Sequence, residues 1–292
     1  MRDYIIMTDS CCDLSQQEVE ELELTVLPLS FTIEGKTLLN TPDHADMSPE
    51  EFFAKIAAGA DCTTAAANVG QFTDAMEKVL QEGKDILCVC FSSALSTTYQ
   101  SACIAAEDLR EKYPEAKILV IDSLSASRGQ GMLLYRAVRE RREKNLTIDE
   151  LDAYVRSIIQ SQCHWFIVDD LNHLKRGGRV SSTAALVGTM LGIKPVMHTD
   201  SEGRLTPVSK ARGTKAALRA LVDKVGEIGV EPEKNPPMLI CHANCPESVE
   251  YVKGLLKERF GVTDVRDEFI GPVIGAHTGC GTLGLFFVGT ER

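Results

Sequence analysis

Residues 85–102, DILCVCFSSALSTTYQSA, decide the reading of this chain. An unbroken apolar run from Ile86 to Phe91 has the character of a strand buried on both faces, as strands of parallel sheets are. Five hydroxyls follow at once (Ser92, Ser93, Ser96, Thr97, Thr98), crowding the turn and the start of a helix expected over 95–112. In a parallel α/β sheet, ligands bind outside the carboxyl ends of the strands, and a helix start supplies unpaired N–H groups and partial positive charge. The segment therefore predicts an anion site. One serine capping the helix, with its neighbours solvated, is the plainer alternative.

Outward from this segment, apolar stretches of strand length alternate with segments of helical period. Residues 4–8, 24–33, 85–91, 118–121, 165–168, 238–241 and 283–288 read as strands. Residues 49–58, 71–81, 95–112, 127–143, 147–160, 214–228 and 247–260 read as helices. The order βαβα predicts an α/β protein with mainly parallel sheets. At 292 residues the chain is long enough for two medium domains. A change to a basic, glycine-rich composition beyond residue 160 places them at 1–162 and 163–292.

Composition narrows the function. Lys and Arg number 31 against 42 Asp and Glu, a formal charge of −11, which repels phosphate backbones and anionic lipid surfaces. One Trp, six Tyr and ten Phe do not make the stacking platform of a single-strand binder, so nucleic acid is not an expected partner. The N-terminus lacks a signal peptide's apolar core, and no apolar run reaches the roughly 20 residues of a membrane helix. A cytoplasmic protein with ten reduced cysteines is expected.

Motifs narrow it further. Neither a Walker loop nor the Gly-x-Ser-x-Gly elbow is present. Hydroxyl donors without a fixed cation suit a carboxylate better than a triphosphate. Thr8-Asp9-Ser10 and Ile121-Asp122-Ser123 stand at two more strand ends, each Asp being either a general base, a metal ligand or, more commonly, a cap. Thr63-Thr64 is expected on a loop closing over the same edge. Residues 279–284, GCGTLG, match G-x-G-x-x-G literally, but a strand follows them, which fails the dinucleotide context. Just before them stands His277, between glycines and without the apolar neighbours of a core histidine, able to donate to an anion or move a proton. Cys241-His242-Ala243-Asn244-Cys245 lacks the second pair a zinc site needs, so no metal is expected. The basic tract 136–144 reads as a solvated helix face, and in 175–179, KRGGR, the glycines bring the backbone close to an anion or an acidic surface.

Taken in order, Thr8-Asp9-Ser10, FSSALSTTYQSA, Ile121-Asp122-Ser123, LNHLKRGGRVSS, LGIKPVM, GRLTPVSKARG and IGPVIGAHTGCG resemble the DegV family of bacterial fatty-acid-binding proteins, nearly end to end. The resemblance implies two α/β domains, the first a Rossmann-like, mostly parallel wrapped sheet and the second a smaller α/β sandwich, with a lipid tunnel near their junction. It implies no cofactor, a long-chain fatty acid such as palmitate, stearate or oleate as ligand, and an ATP-dependent fatty acid kinase as partner. That kinase would convert the presented acid to acyl phosphate for phospholipid synthesis. Carried over by position, Thr64 and Ser96 would hold the carboxylate, with Ser93 as a further hydroxyl. His277 would stand close to the head group, and Arg179 would face the kinase or the phosphoryl group. Ala65, Ala66, Ala67, Thr97 and Cys280 depart from the residues usual in the family, which leaves lipid binding better founded than the lipid's identity. Residues 184–190 and 270–274 are expected along the tail. The alternative is a hydrolase or transferase with Ser96 as nucleophile and His277 as base, and a lipid sensor would share the same site.

Overall fold

The computed structural model describes residues 2–181, 192–235 and 237–292. Its elements begin β1 (Tyr4–Asp9), α1 (Gln16–Glu21), β2 (Leu24–Leu27), β3 (Leu29–Ile33), β4 (Lys36–Asn40), α2 (Pro49–Ala57) and β5 (Cys62–Ala65). Then come α3 (Val69–Gln81), β6 (Asp85–Cys90), α4 (Thr98–Lys112), β7 (Ile118–Asp122), α5 (Arg128–Lys144) and α6 (Ile148–Ile158). The second half runs β8 (Gln162–Ile167), α7 (Leu171–Arg176), β9 (Ile193–Thr199), β10 (Leu205–Arg212) and α8 (Thr214–Ile228). It ends with β11 (Met238–His242), α9 (Pro246–Phe260), β12 (Val265–Phe269), α10 (Pro272–Thr278) and β13 (Leu283–Val288).

The first sheet has the order β2-β1-β6-β7 and is parallel throughout, as its continuous apolar strands require. Ile86, Cys88 and Cys90 of β6 point into one core, with α3 and α4, while Leu87 and Val89 enter another with α5 and α6. Sequence order reverses between β1 and β6, so a crevice opens beyond their carboxyl ends. The turn carrying Ser92, Ser93 and Ser96 lies there.

Three expectations are corrected. Residues 24–33 are not one strand: Pro28 cannot donate to a ladder, and the chain changes sheet there. β2 stays in the parallel sheet, whereas β3 joins β4 and β5 in a three-stranded antiparallel sheet. Thr63 and Thr64 therefore lie on a strand, not a loop. The second half is also not mainly parallel. Its six strands run β10-β9-β8-β13-β11-β12, with only the β11–β12 pair parallel.

Alternation along this second sheet separates two environments. Trp165 and Ile167 of β8, Ile240 of β11, and Leu285 and Phe287 of β13 pack under α8 and α9. His164, Phe166, Cys241 and Phe286 occupy the other face, toward α5 and the first half of the chain. Helix α5 enters this space with Arg128, fully buried and paired through both terminal nitrogens with Glu18 at 2.8 and 2.7 Å. Among the described residues, no helix is long and apolar enough to cross a membrane.

Candidate functional site

A cavity of about 420 Å³ opens where the two halves meet. Thr64, Ser93, Ser96, Arg179 and His277 all line it, so five residues spread over 213 positions of sequence converge on one space. An outer vestibule of about 500 Å³ shares Thr64, Arg179 and His277 with it. At the other end an inner chamber of about 50 Å³ shares Ala126, Leu205, Ile274 and Thr278. The three spaces follow one another from a polar mouth to an apolar end.

The serine turn is held by the ends of three strands. Asp9 accepts the Phe91 N–H at 2.7 Å and the Cys11 N–H at 3.0 Å, and Asp122 accepts the Ser93 N–H at 3.1 Å and the Leu124 N–H at 3.0 Å. Asp9 caps the short 3-10 turn after β1, whereas Asp122 clamps the serine turn and its own loop without capping a helix, and burial raises the Asp9 carboxyl to about 6 despite its donors. The three serines then separate by role. Ser92 is fully buried and donates to the Gly203 carbonyl at 3.0 Å, fastening the β9–β10 turn to the first half. Ser93 lines the cavity with an exposed side chain. Ser96 accepts the Thr98 N–H at 3.2 Å, and its Oγ lies 2.8 Å from Thr98 Oγ1. This local turn precedes α4, which starts at Thr98 and not at residue 95 and whose N-cap, Thr97, makes no side-chain cap bond. With Thr98 as the donor in the hydroxyl pair, the Ser96 O–H remains available to a carboxylate.

His277 is not in a glycine loop but in the last turn of α10, where Pro272 near the helix start sets the first turn. Phe52 and Phe53 of α2 press against Gly275, where a Cβ would meet their rings at 2.8 and 3.0 Å. That contact fixes the helix over the cavity. His277 Nε2 lies 2.9 Å from Thr64 Oγ1. Burial, with the Arg179 guanidinium nearby, lowers the imidazole to about 4. The ring is consequently neutral near pH 7 and has one N–H to give.

The glycines of KRGGR serve two different purposes. A Cβ on Gly177 would lie 2.1 Å from His277 Nδ1, so this glycine lets the backbone come close to the Nδ1 edge of the imidazole. Gly178 adopts φ +73°, which turns the chain toward Arg179. What the backbone approaches is the protein's own histidine. Arg179 donates from Nε to the Leu95 carbonyl at 3.1 Å and from Nη1 to the Gly177 carbonyl, which anchors its charge at the join of cavity and vestibule. Arg176 adds a second cation to the vestibule, where Asp61 and the His173 ring, its pKa lowered by burial and by Arg176, also stand.

Beyond these polar groups the walls are apolar. Leu29, Phe91, Leu95, Leu174, Val273 and Ile274 surround the central space. Ile270, Val273 and Ile274 thus stand along the cavity as expected from sequence, whereas residues 184–190 lie outside the described residues. Leu174, Leu205 and Thr278 were missed, although Pro272 ahead of an apolar pair was a legible helix-start signal. Cys241 faces the inner chamber, and the Cys245 thiol is directed at the Thr282 carbonyl at 3.5 Å. The arrangement can take a molecule with one anionic end and a long apolar body. Among the described residues, the hydroxyl within hydrogen-bond distance of the His277 ring is that of Thr64 and not that of Ser96.

The model of a family described as uncharacterised protein, DegV family, matches residues 4–290. A DegV domain-containing protein of Clostridium perfringens is 38% identical over 292 residues, covering 100% of this chain and 99% of the relative. Among solved structures, a DegV family protein from Thermus thermophilus, described as binding fatty acid, matches with a TM-score of 0.86 at 28% identity over 99% of this chain and 100% of its own. A DegV-family protein from Ruminococcus gnavus, refined with vaccenic acid, matches with a TM-score of 0.84 at 25% identity over 97% of this chain and 99% of its own.

Proposed function

The chain belongs to the DegV family of bacterial proteins, and from that premise we propose that it binds a long-chain fatty acid with its carboxylate at the polar mouth and its tail in the apolar cavity. The observation that carries this reading is the convergence of Thr64, Ser93, Ser96, Arg179 and His277 on a cavity whose remaining walls, Thr97 and Thr278 aside, are apolar. A tail of 16–18 carbons gains roughly 12 kcal/mol gross at about 0.8 kcal/mol per buried methylene, before the costs of association. The carboxylate, leaving water, needs donors, and hydroxyls with a neutral imidazole supply them.

In this reading Thr64 and Ser96 hold the carboxylate, Ser93 adds a donor, and His277 completes the set. Arg179, shared with the vestibule, faces an incoming phosphoryl group. A separate cytoplasmic ATP-dependent kinase phosphorylates the presented acid to an acyl phosphate for phospholipid synthesis, so the chain acts as carrier and not as catalyst. Two cations in the vestibule, Arg176 and Arg179 against the one carboxylate of Asp61, support such an approach despite an overall charge of −11. We take residues 1–162 and 163–292 as its two domains.

Native mass spectrometry of the purified protein, followed by denaturing lipid extraction, tests the reading. A one-to-one adduct of fatty-acid mass is expected, weaker in Thr64→Ala and Ser96→Ala. A clean apo mass, with no rise in Tm on adding C16 or C18 acids, overturns it.

A further inference from the structure

The basic tract 136–144 does not form one solvated face. Arg141 lies over the Tyr4 ring at 4.1 Å and pairs with Asp3, and Lys144 pairs with Glu140 one turn back. Arg136, Arg139 and Arg142 instead border a groove of about 310 Å³ between α5, in the first half of the chain, and β11 and β13 of the second. Pro237 and Val288, both partly exposed, form its apolar side, with Leu22 and Val138 behind them. None of these residues lines the fatty-acid cavity, its vestibule or the inner chamber.

The three arginines are unequally matched. Arg142 donates to the Glu21 carbonyl at 2.8 Å and to Glu23 at 3.1 Å. Arg136 is half-buried, and its polar neighbours are hydroxyls: Nη1 donates to Ser161 Oγ at 3.0 Å, and Tyr154 stands beside it. Arg139, the next residue along the same helix face, is exposed and has no hydrogen bond among the described residues. Neither Arg136 nor Arg139 is ion-paired among the described residues. Burial lowers the Arg136 guanidinium, and the like charge of Arg139 lowers it further. The carboxylate among the groove's described residues, Glu143, stands another turn along α5, exposed and paired with neither. Two guanidiniums held near each other without a counter-ion, beside apolar surface, carry a cost that a bound anion removes.

We propose that this groove binds an organic phosphate monoester, with its phosphate between Arg136 and Arg139 and its apolar body against Pro237 and Val288. A guanidinium fork takes phosphate oxygens two at a time, and residues three apart on a helix are neighbours, so both forks can reach one phosphate. A monoester carries about −1.5 to −2 at pH 7, which matches two cations where a carboxylate matches one. The groove lies at the lower limit of small-ligand pockets, roughly 300–1,000 Å³, and suits a single ring better than a protein segment. An occupant would touch both halves of the chain.

Calorimetry on the full chain with phenyl phosphate tests this, beside inorganic phosphate, phenol and a polyglutamate peptide. Phenyl phosphate should bind below about 1 mM, with inorganic phosphate and phenol at least about 10-fold weaker. Arg139→Gln should weaken phenyl phosphate about 5-fold and Arg136→Gln about 10-fold. Arg141→Gln, whose side chain is turned to Tyr4, should leave it unchanged, as should saturation with stearic acid. Arg139 is exposed, so its variant should keep the wild-type Tm and report on binding alone. No binding of phenyl phosphate at about 1 mM overturns the inference, as does inorganic phosphate binding equally well. Full affinity in Arg139→Gln, an equal loss in Arg141→Gln, or displacement by stearic acid overturns it too. Binding of the peptide in place of phenyl phosphate overturns it in favour of a protein-docking face.

Discussion

Replacing Thr64 by Val removes one oxygen from the centre of the polar mouth while keeping a β-branched side chain on β5. Thr64 Oγ1 lies 2.9 Å from His277 Nε2 and borders both cavity and vestibule. In the bound state the hydroxyl serves a charged carboxylate, a hydrogen bond of about 1.5–3 kcal/mol, which predicts a 10- to 150-fold rise in Kd. Two methylenes of tail contribute about 1.6 kcal/mol, or roughly 15-fold. Head and tail effects fall at opposite ends of the cavity and should add. Calorimetry with C14 and C16 acids should therefore return the same fold-loss for Thr64→Val at both lengths. With a methyl ester, which carries no charge, the loss should shrink to about 10-fold or less. An equal loss for acid and ester, or a change below about 3-fold with Tm unchanged, would refute the assignment of Thr64 to the carboxylate.

Other outcomes follow from the same geometry. His277 should remain neutral in the ligand-free protein down to about pH 4, and an imidazole titrating near 6.5 by NMR would contradict its burial. Because its folded value lies below the unfolded one of about 6.5, its contribution to stability is present above that pH and fades as pH falls toward 4, so denaturant midpoints of wild type and His277→Gln should converge there. Gly177→Ala places a methyl group on the imidazole and should cost about 1–3 kcal/mol of stability together with fatty-acid affinity; an unchanged Tm and Kd would show that the backbone does not pack on the ring. Ser92→Ala strands the buried Gly203 carbonyl and should lower stability by about 1–3 kcal/mol with little effect on the Kd of the folded protein, whereas a selective loss of binding would return Ser92 to the site.

Much of this molecule is local and therefore legible in the chain. The run from Ile86 to Phe91 could only be a strand buried on both faces, and the hydroxyls after it mark the crevice that a parallel sheet creates. Asp9 behaves as the cap that is its commoner role, whereas Asp122 clamps the serine turn after β6 and caps no helix. The motif resemblance located Thr64, Ser93, Ser96, Arg179 and His277, which meet in one cavity. Three things depended on distance in sequence. Pro28 moves the chain between sheets, but which sheet receives β3 is set by its pairing with β4 and β5. Gly177 reads locally as a turn residue, yet its need for space comes from an imidazole 100 positions away. Thr278 reads as one more hydroxyl in a helix end. That its oxygen is buried without a partner follows from how α10, α5 and the second sheet close around it. Periodicity and capping act over a few residues and are written in the sequence. The space left between packed elements is a property of the whole assembly, and it decides which polar atoms reach a ligand and which are sealed away from one.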